Sequence, residues 1–193
     1  MARQQALERL IIGISGASGV IYGIRLLQIL RHSGLGVETH LVMSKAAGLT
    51  LACETDFSLA EVHALADKVY AIDDMAAPIS SGSFRTEGMI VAPCSMRSMS
   101  EIAMGATTTL LTRAADVVLK ERRRLVLMVR ETPLHTGHLR TMTMLSEIGA
   151  IIAPPVPAFY SRPSTLEDMV GHTVGRVLDL FGMDVDTTPR WGE

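Results

Sequence analysis

The stretch Leu10-Ile-Ile-Gly13-Ile-Ser-Gly16-Ala-Ser-Gly19-Val-Ile-Tyr-Gly23 decides the fold class of this 193-residue chain. Its apolar start predicts a buried strand, and its glycines predict a tight turn. The amphipathic segment after the glycines predicts a helix. Glycines let backbone approach a ligand closely, and N–H groups at a helix N-terminus favour an anion. We therefore expect a phosphate at this turn, on N–H groups without another partner. The same spacing also occurs where a helix only packs tightly on a strand.

The next predicted strand, Val37 to Met43, narrows the choice of nucleotide. A dinucleotide site usually has an acidic residue at the end of this strand, to bind a ribose hydroxyl. Here the strand is followed by Ser44 and Lys45, a hydroxyl and a cation. These groups suit a phosphate or a flavin edge. The sequence therefore favours a mononucleotide such as FMN over NAD.

Apolar runs alternate with helical patterns along the whole chain. We expect strands at about 9–15, 37–43, 69–72, 88–93, 125–130 and 149–153. Such alternation predicts a single α/β domain over residues 1–193, with a Rossmann-like parallel sheet and helices on both of its faces. Ligands of open α/β sheets bind beyond the carboxyl ends of the strands, so the polar residues at those ends are the site candidates.

Composition excludes several classes of function. A formal charge of −2 and a pI near 6.3 give no electrostatic footprint for nucleic acid or an anionic membrane. No apolar run reaches the ~20 residues of a membrane span, and the N-terminus lacks the apolar core of a signal peptide, so we expect a cytoplasmic protein. Cys53 and Cys94 form no zinc-ligand pair, and His135 and His138 are expected to have structural or capping roles.

Seven segments together resemble the flavin prenyltransferases of the UbiX type, and the resemblance covers nearly the whole chain. The related flavin-dependent cysteine decarboxylases share the glycine turn but resemble the later segments far less. The segments are Gly16-Ala-Ser-Gly19, Ser80-Ser-Gly-Ser83, Pro93-Cys-Ser95, Thr112-Arg-Ala-Ala-Asp-Val-Val-Leu-Lys-Glu-Arg122, Arg130-Glu-Thr-Pro133, Pro157-Ala-Phe-Tyr160 and Pro189-Arg-Trp-Gly192.

This resemblance implies a flavodoxin-like homo-oligomer, expected to be a dodecamer, with active sites between subunits and a contribution from the tail at about 184–193. It implies transfer of the dimethylallyl group of dimethylallyl monophosphate to N5 and C6 of reduced FMN. The product, prenylated FMN, would serve a UbiD-type decarboxylase. No metal is implied.

The resemblance also assigns roles to individual residues. A metal-free site must supply cations and a proton donor to the leaving phosphate. The matching cations are Arg113, Lys120 and Arg176, with Ser81 as a hydroxyl donor and Glu131 as an acid/base group. On one helix, Arg113 and Lys120 would project from the same face. The FMN contacts carried over are Gly16, Ala17, Ser18, Ser44, Ser95, Arg97, Ser98 and Arg130.

Two further pairs complete the predicted site. Tyr160 and Trp191 would offer π faces to an allyl cation. Glu54 and Ser18 would relay the proton lost from flavin N5. The chain departs from the family pattern at Met75, at Glu101 and over 104–109, which puts the prenyl pocket or a subunit contact in doubt, and it departs also at Arg124. Two alternatives remain: a flavin-dependent decarboxylase, for which His135 or His138 would be the catalytic histidine, and a flavin carrier without chemistry.

Overall fold

Six strands and seven α-helices alternate over residues 8–185, the part of the chain that this computed structural model describes. The strands are β1 (Glu8–Ile14), β2 (Val37–Met43), β3 (Lys68–Tyr70), β4 (Gly88–Cys94), β5 (Arg124–Val129) and β6 (Ala150–Ile152). The helices are α1 (Ile21–His32), α2 (Lys45–Glu54), α3 (Leu59–Ala64), α4 (Met96–Ala103), α5 (Leu110–Lys120), α6 (Thr136–Glu147) and α7 (Leu166–Asp179).

All six strands join one parallel sheet in the order β3-β2-β1-β4-β5-β6. This is the order of a doubly wound Rossmann sheet, in which the direction of winding reverses between β1 and β4. The predicted α/β class is confirmed, and each predicted strand lies within two residues of an observed one. The carboxyl ends of β1, β2, β4 and β5 therefore share one edge.

The core lies in two layers, one on each face of the sheet. Ile12 and Ile14 of β1 pack in the layer that includes residues of α1 and α7, whereas Ile11 packs in the layer that includes residues of α4 and α5. Neighbouring residues of a strand point to opposite faces, so a central strand covered on both faces must be continuously apolar. The run from Leu125 to Val129 follows the same rule, since each of its side chains is at most 3% exposed.

Helix α1 lies very close to β4. A Cβ atom added at Gly23 would stand 2.4 Å from the Ala92 carbonyl oxygen, so only glycine permits this packing. The contact fixes the start of α1 over the sheet edge where the glycine turn lies. Among the described helices α7 is the longest, with 14 residues, and none is both long and apolar enough to cross a bilayer.

Candidate functional site

A cavity of about 400 Å³ opens at the carboxyl edge of the sheet, beside the point where the winding reverses. This size falls within the ~300–1,000 Å³ usual for small-molecule sites. Five of the predicted FMN contacts line it, and so do several residues that we did not predict. The lining residues are Gly16, Ser44, Lys45, Ala46, Ile72, Asp73, Ser95, Arg97, Ser98, Glu101, Thr108, Thr109 and Leu111.

Three helices begin at this cavity, and the N-cap of each is a residue with a hydroxyl side chain. Ser44 accepts a hydrogen bond from Ala47 N–H at 3.1 Å, and Ser95 accepts one from Ser98 N–H at 3.2 Å. Thr109 forms a capping box with Thr112 at the start of α5. The first-turn N–H groups of a helix lack intrahelical acceptors, and the helix dipole adds positive potential there. The cavity is therefore suited to an anionic ligand.

Backbone packing brings the loop after β1 against α2. A Cβ atom at Gly16 would stand 2.3 Å from the Ala46 Cβ atom, so the glycine is required for close approach. Buried Ser15 ties this loop to the end of β4: its hydroxyl donates to the Pro93 carbonyl at 2.9 Å and accepts from Ser95 N–H at 2.7 Å. Sequence reasoning missed Ser15, whose signal is a hydroxyl directly after the buried end of β1.

The glycine turn has a partner that the sequence did not predict. The Glu54 Oε2 atom accepts hydrogen bonds from Gly19 N–H at 2.8 Å and from Val20 N–H at 3.3 Å. The expectation that these N–H groups lack a partner before a ligand arrives is therefore wrong, because a carboxylate of the chain already stands at the start of α1. Ser18 is the predicted relay partner of Glu54, and Glu54 thus contacts the residue directly after it.

Arg130 and Glu131 follow β5 at the same sheet edge but do not line the cavity. Arg130 N–H donates to the Cys94 carbonyl at 3.1 Å, and the Glu131 carboxylate accepts from Thr132 N–H at 3.0 Å. Burial raises the pKa of Tyr22, and the positive charge of Arg130 partly opposes that shift. Arg130 therefore acts electrostatically on the first turn of α1.

The predicted phosphate-binding residues Ser81, Arg113 and Lys120 come together elsewhere, where the loop at 80–83 packs on α5. Arg113 Nε donates to the Ser80 carbonyl at 3.1 Å, and a Cβ atom at Gly82 would stand 2.7 Å from Lys120 Nζ. Both cations thus face one loop, as their spacing predicted. Each also has an acidic neighbour: Arg113 pairs with Asp116 at 2.8 Å, and Lys120 with Glu121 at 2.5 Å.

This second group is distant from the cavity within one chain. Thr109 lines the cavity, and α5 begins at the next residue and ends at Lys120. The two ends of α5 are ten residues apart, which corresponds to about 15 Å along the helix axis. The structure therefore does not bring Lys120 to the cavity of its own chain.

A third group lies around α7. The Tyr160 hydroxyl is 3.1 Å from His172 Nε2, and the two rings meet edge to face with their centroids 5.5 Å apart. Arg176, one helical turn beyond His172, pairs with Asp179. Sequence reasoning missed His172, because no local pattern relates it to Tyr160. The prediction for Trp191 falls outside the described residues, as does the tail beyond residue 185.

The histidines considered for chemistry have structural contacts. His135 is the N-cap of α6, where its Nδ1 atom accepts from Gly137 N–H at 3.0 Å, so the predicted capping role is confirmed. Its ring lies against that of His138, with the centroids 3.6 Å apart and the ring planes tilted by 30°. Neither lines the cavity. Within residues 8–185, no group of three or more His, Cys, Asp or Glu side chains is arranged to hold a metal ion.

Known proteins resemble the chain along almost its whole length. The sequence profile of the Flavoprotein family matches residues 2–176. The chain is 62% identical over 187 residues to the flavin prenyltransferase UbiX of Escherichia coli (strain K12), covering 96% of this chain and 98% of that protein. The crystal structure of AnUbiX (PadA1) in complex with FMN and dimethylallyl pyrophosphate has 52% identity and a TM-score of 0.95, covering 97% and 99% of the two chains. That of a dodecameric FMN-dependent Ubix-like decarboxylase from Escherichia coli O157:H7 has 52% identity and a TM-score of 0.93, covering 96% and 100%.

Proposed function

The chain belongs to the Flavoprotein family and, within it, to the flavin prenyltransferases, and we propose that it joins the dimethylallyl group of dimethylallyl monophosphate to N5 and C6 of reduced FMN. The observation that carries this proposal is the pairing of an anion-binding cavity, at the starts of three helices, with a separate cation group on α5. The first suits a flavin phosphate and the second a leaving phosphate.

The cavity residues fit FMN by their chemistry. Ser44, Ser95 and Ser98 offer hydroxyls, Arg97 offers a cation, and Gly16 removes the side chain that would block close approach. The three helix starts add N–H donors at the same place. We place the FMN phosphate within reach of α2 and α4, because Glu54 already occupies the start of α1. Ala17, Ser18 and Arg130 extend the predicted contacts along the same edge.

The leaving phosphate would meet Ser81, Arg113 and Lys120, with Arg176 supplied from α7. Positive groups held in place before the reaction stabilise charge that develops as the allylic C–O bond breaks. Glu131 would act as the acid/base group at this phosphate, and Tyr160 and Trp191 would present aromatic faces to the allyl cation. The Glu54 and Ser18 pair would accept the proton released from the flavin.

These groups meet only if subunits share the site. Lys120 stands about 15 Å along α5 from the cavity rim of its own chain. Side chains near Tyr160 are unusually exposed for their type: Val156 and Phe159 are each 72% exposed, and Leu166 is 74% exposed. Exposed apolar surface of this kind is typical of interfaces. We propose a homo-oligomer, a dodecamer as in the E. coli O157:H7 relative.

The test is the mass and absorbance of the flavin released after anaerobic incubation with reduced FMN and either dimethylallyl monophosphate or the diphosphate. We expect a flavin heavier by one dimethylallyl group, formed faster with the monophosphate, which then activates a UbiD-type decarboxylase lacking its cofactor. Unmodified flavin with both donors would contradict prenyl transfer. Release of CO₂ from an aromatic acid by the protein alone would favour the decarboxylase alternative. The cytoplasmic location stays a prediction from the sequence.

A further inference from the structure

A carboxylate lines the cavity that we assign to an anionic ligand. Glu101 stands on α4, one turn beyond Arg97, and its side chain is 20% exposed. A negative charge beside a phosphate-bearing ligand opposes binding by Coulomb repulsion. Its position at the cavity therefore calls for a compensating role.

The contacts of Glu101 indicate what that role is. Its Oε1 atom accepts a hydrogen bond from Arg97 Nε at 2.8 Å, and its Oε2 atom accepts one from Thr108 Oγ1 at 3.0 Å. Its backbone carbonyl accepts from Ala106 N–H at 2.8 Å. One residue thus joins the cation on α4 to the loop that precedes α5.

Both partners of the carboxylate need a restraint. The Arg97 side chain is 82% exposed, so without a partner it would sample many rotamers. Thr108 precedes Thr109, the N-cap of α5, and both threonines line the cavity. Holding Thr108 therefore fixes the rim of the cavity together with the start of the helix that carries Arg113 and Lys120.

We propose that Glu101 is a positioning residue: through its two carboxylate oxygens it orders the Arg97 guanidinium and the 104–109 loop at the cavity rim, and so strengthens FMN binding. The inference rests on the proposed function, since it takes FMN as the occupant of the cavity. The two effects of Glu101 differ in sign. Repulsion alone would make its removal tighten FMN binding, whereas loss of ordering weakens it.

FMN affinity, followed by the quenching of flavin fluorescence, tests the proposal. Loss of hydrogen bonds to a charged group predicts that Glu101→Ala raises the FMN dissociation constant roughly tenfold. Glu101→Gln keeps one acceptor oxygen and should recover part of this loss. The matched control is Glu147→Ala, which removes an exposed carboxylate at the end of α6 and should leave the affinity unchanged.

A double-mutant cycle separates ordering of Arg97 from an independent effect. If part of the effect of Glu101 runs through Arg97, the double variant with Arg97→Ala and Glu101→Ala should bind FMN less weakly than the sum of the two single losses predicts. Single-turnover prenyl transfer at saturating FMN should stay near the wild-type rate in Glu101→Ala, while the KM for FMN rises. Hydrogen exchange of the flavin-free protein should show faster exchange over 104–109 in Glu101→Ala and not in Arg97→Ala.

Unchanged or tighter FMN binding by Glu101→Ala would overturn the proposal, and so would fully additive effects in the cycle. Unchanged exchange over 104–109 would remove the loop from it. These failures differ from failure of the proposed function, in which the wild-type protein itself would neither bind FMN nor prenylate it.

Discussion

The Glu54 carboxylate accepts a hydrogen bond from the Gly19 N–H at 2.8 Å, where the chain enters α1, although the two residues are 35 positions apart. Val20, the residue directly before the helix, has no side chain that can cap it. The carboxylate binds the N–H groups of the two residues that lead into this helix, whereas the serines at α2 and α4 accept from N–H groups of the first turn. Its negative charge also faces the positive end of the helix dipole.

Replacement of Glu54 should separate this structural role from the proposed proton transfer. Loss of a hydrogen bond typically costs about 1 kcal/mol of stability, so we expect Glu54→Ala to lower the unfolding midpoint. Glu54→Gln keeps an acceptor oxygen and should retain most of the stability, yet prenyl transfer should slow strongly because the amide cannot accept a proton. Thermal unfolding and single-turnover rates of both variants give the answer. Wild-type turnover by Glu54→Gln would exclude the relay.

Lys120→Ala should retain FMN but slow prenyl transfer by about 10²–10³, because its charge counts most as the phosphate leaves. Glu131→Gln should behave similarly if that carboxyl supplies the proton. Lys68→Ala, at an exposed lysine of β3, is the matched control and should leave the rate unchanged. A wild-type single-turnover rate for Lys120→Ala at saturating donor would remove this residue from the mechanism.

Gly82→Ala tests the position of Lys120 without deleting it. The new methyl group would stand 2.2 Å from Glu121 Oε1 and 2.7 Å from Lys120 Nζ, so the ends of these two side chains must move. Both ends are flexible, so the fold should persist. We expect the KM for the prenyl donor to rise while the unfolding midpoint and the FMN affinity stay near wild type. An unchanged KM would mean that the ammonium position does not matter.

The sequence predicted the sheet well because its strands are governed by local patterns. Continuous apolar runs such as Leu125 to Val129 leave little alternative to a strand buried on both faces. It also predicted five of the residues that line the cavity, because parallel strands all end at one edge. It failed where a contact joins distant parts of the chain, as with Glu54 at the glycine turn and His172 beside Tyr160. Neither contact leaves a periodic signal.

Two glycine-to-alanine changes should shift stability in opposite directions. Gly23 has no room for a methyl group because of the Ala92 carbonyl, so overpacking should cost about 1–3 kcal/mol. Gly48, inside α2, has nothing within 4 Å of an added Cβ atom. Because alanine has a higher helix propensity than glycine, Gly48→Ala should raise the free energy of unfolding by about 0.5–1 kcal/mol. Chemical denaturation of both variants tests the pair, and a Gly23→Ala protein as stable as wild type would contradict the described packing of α1 on β4.

Stability below neutral pH should depend on His40, which is 2% exposed in β2. Its Nε2 atom is 2.7 Å from Glu38 Oε1, and its Nδ1 atom is 2.8 Å from the Tyr70 hydroxyl. Burial lowers the pKa of His40 below its ordinary value of 6.5, and Glu38 opposes part of that shift. As the pH falls, His40 is therefore protonated in the unfolded chain before it is protonated in the folded one. The stability that neutral His40 contributes is complete above about pH 6.5 and is lost as the pH falls below that value.

We therefore expect the unfolding midpoint of the wild-type protein to decline from pH 7 to pH 5 more steeply than that of His40→Gln, which cannot titrate there. The difference between the two profiles removes the contributions of the carboxylates, which both proteins share. Parallel profiles over this range would show that the protonation of His40 is not linked to folding.

Complementation between defective subunits tests whether Lys120 and Arg176 of one site come from different subunits. Lys120 lies on α5 and Arg176 on α7, and neither lines the cavity at the sheet edge. If different subunits supply them, each homo-oligomer of Lys120→Ala or Arg176→Ala lacks one cation at every site. Mixed oligomers would then contain some sites with both cations intact, and these should recover a measurable fraction of prenyl transfer. The control is a double variant that carries both substitutions, mixed with wild-type chains, because both defects then lie in the same chain. Mixed oligomers whose composition is verified by mass, but which recover no activity, would show that one chain supplies both residues.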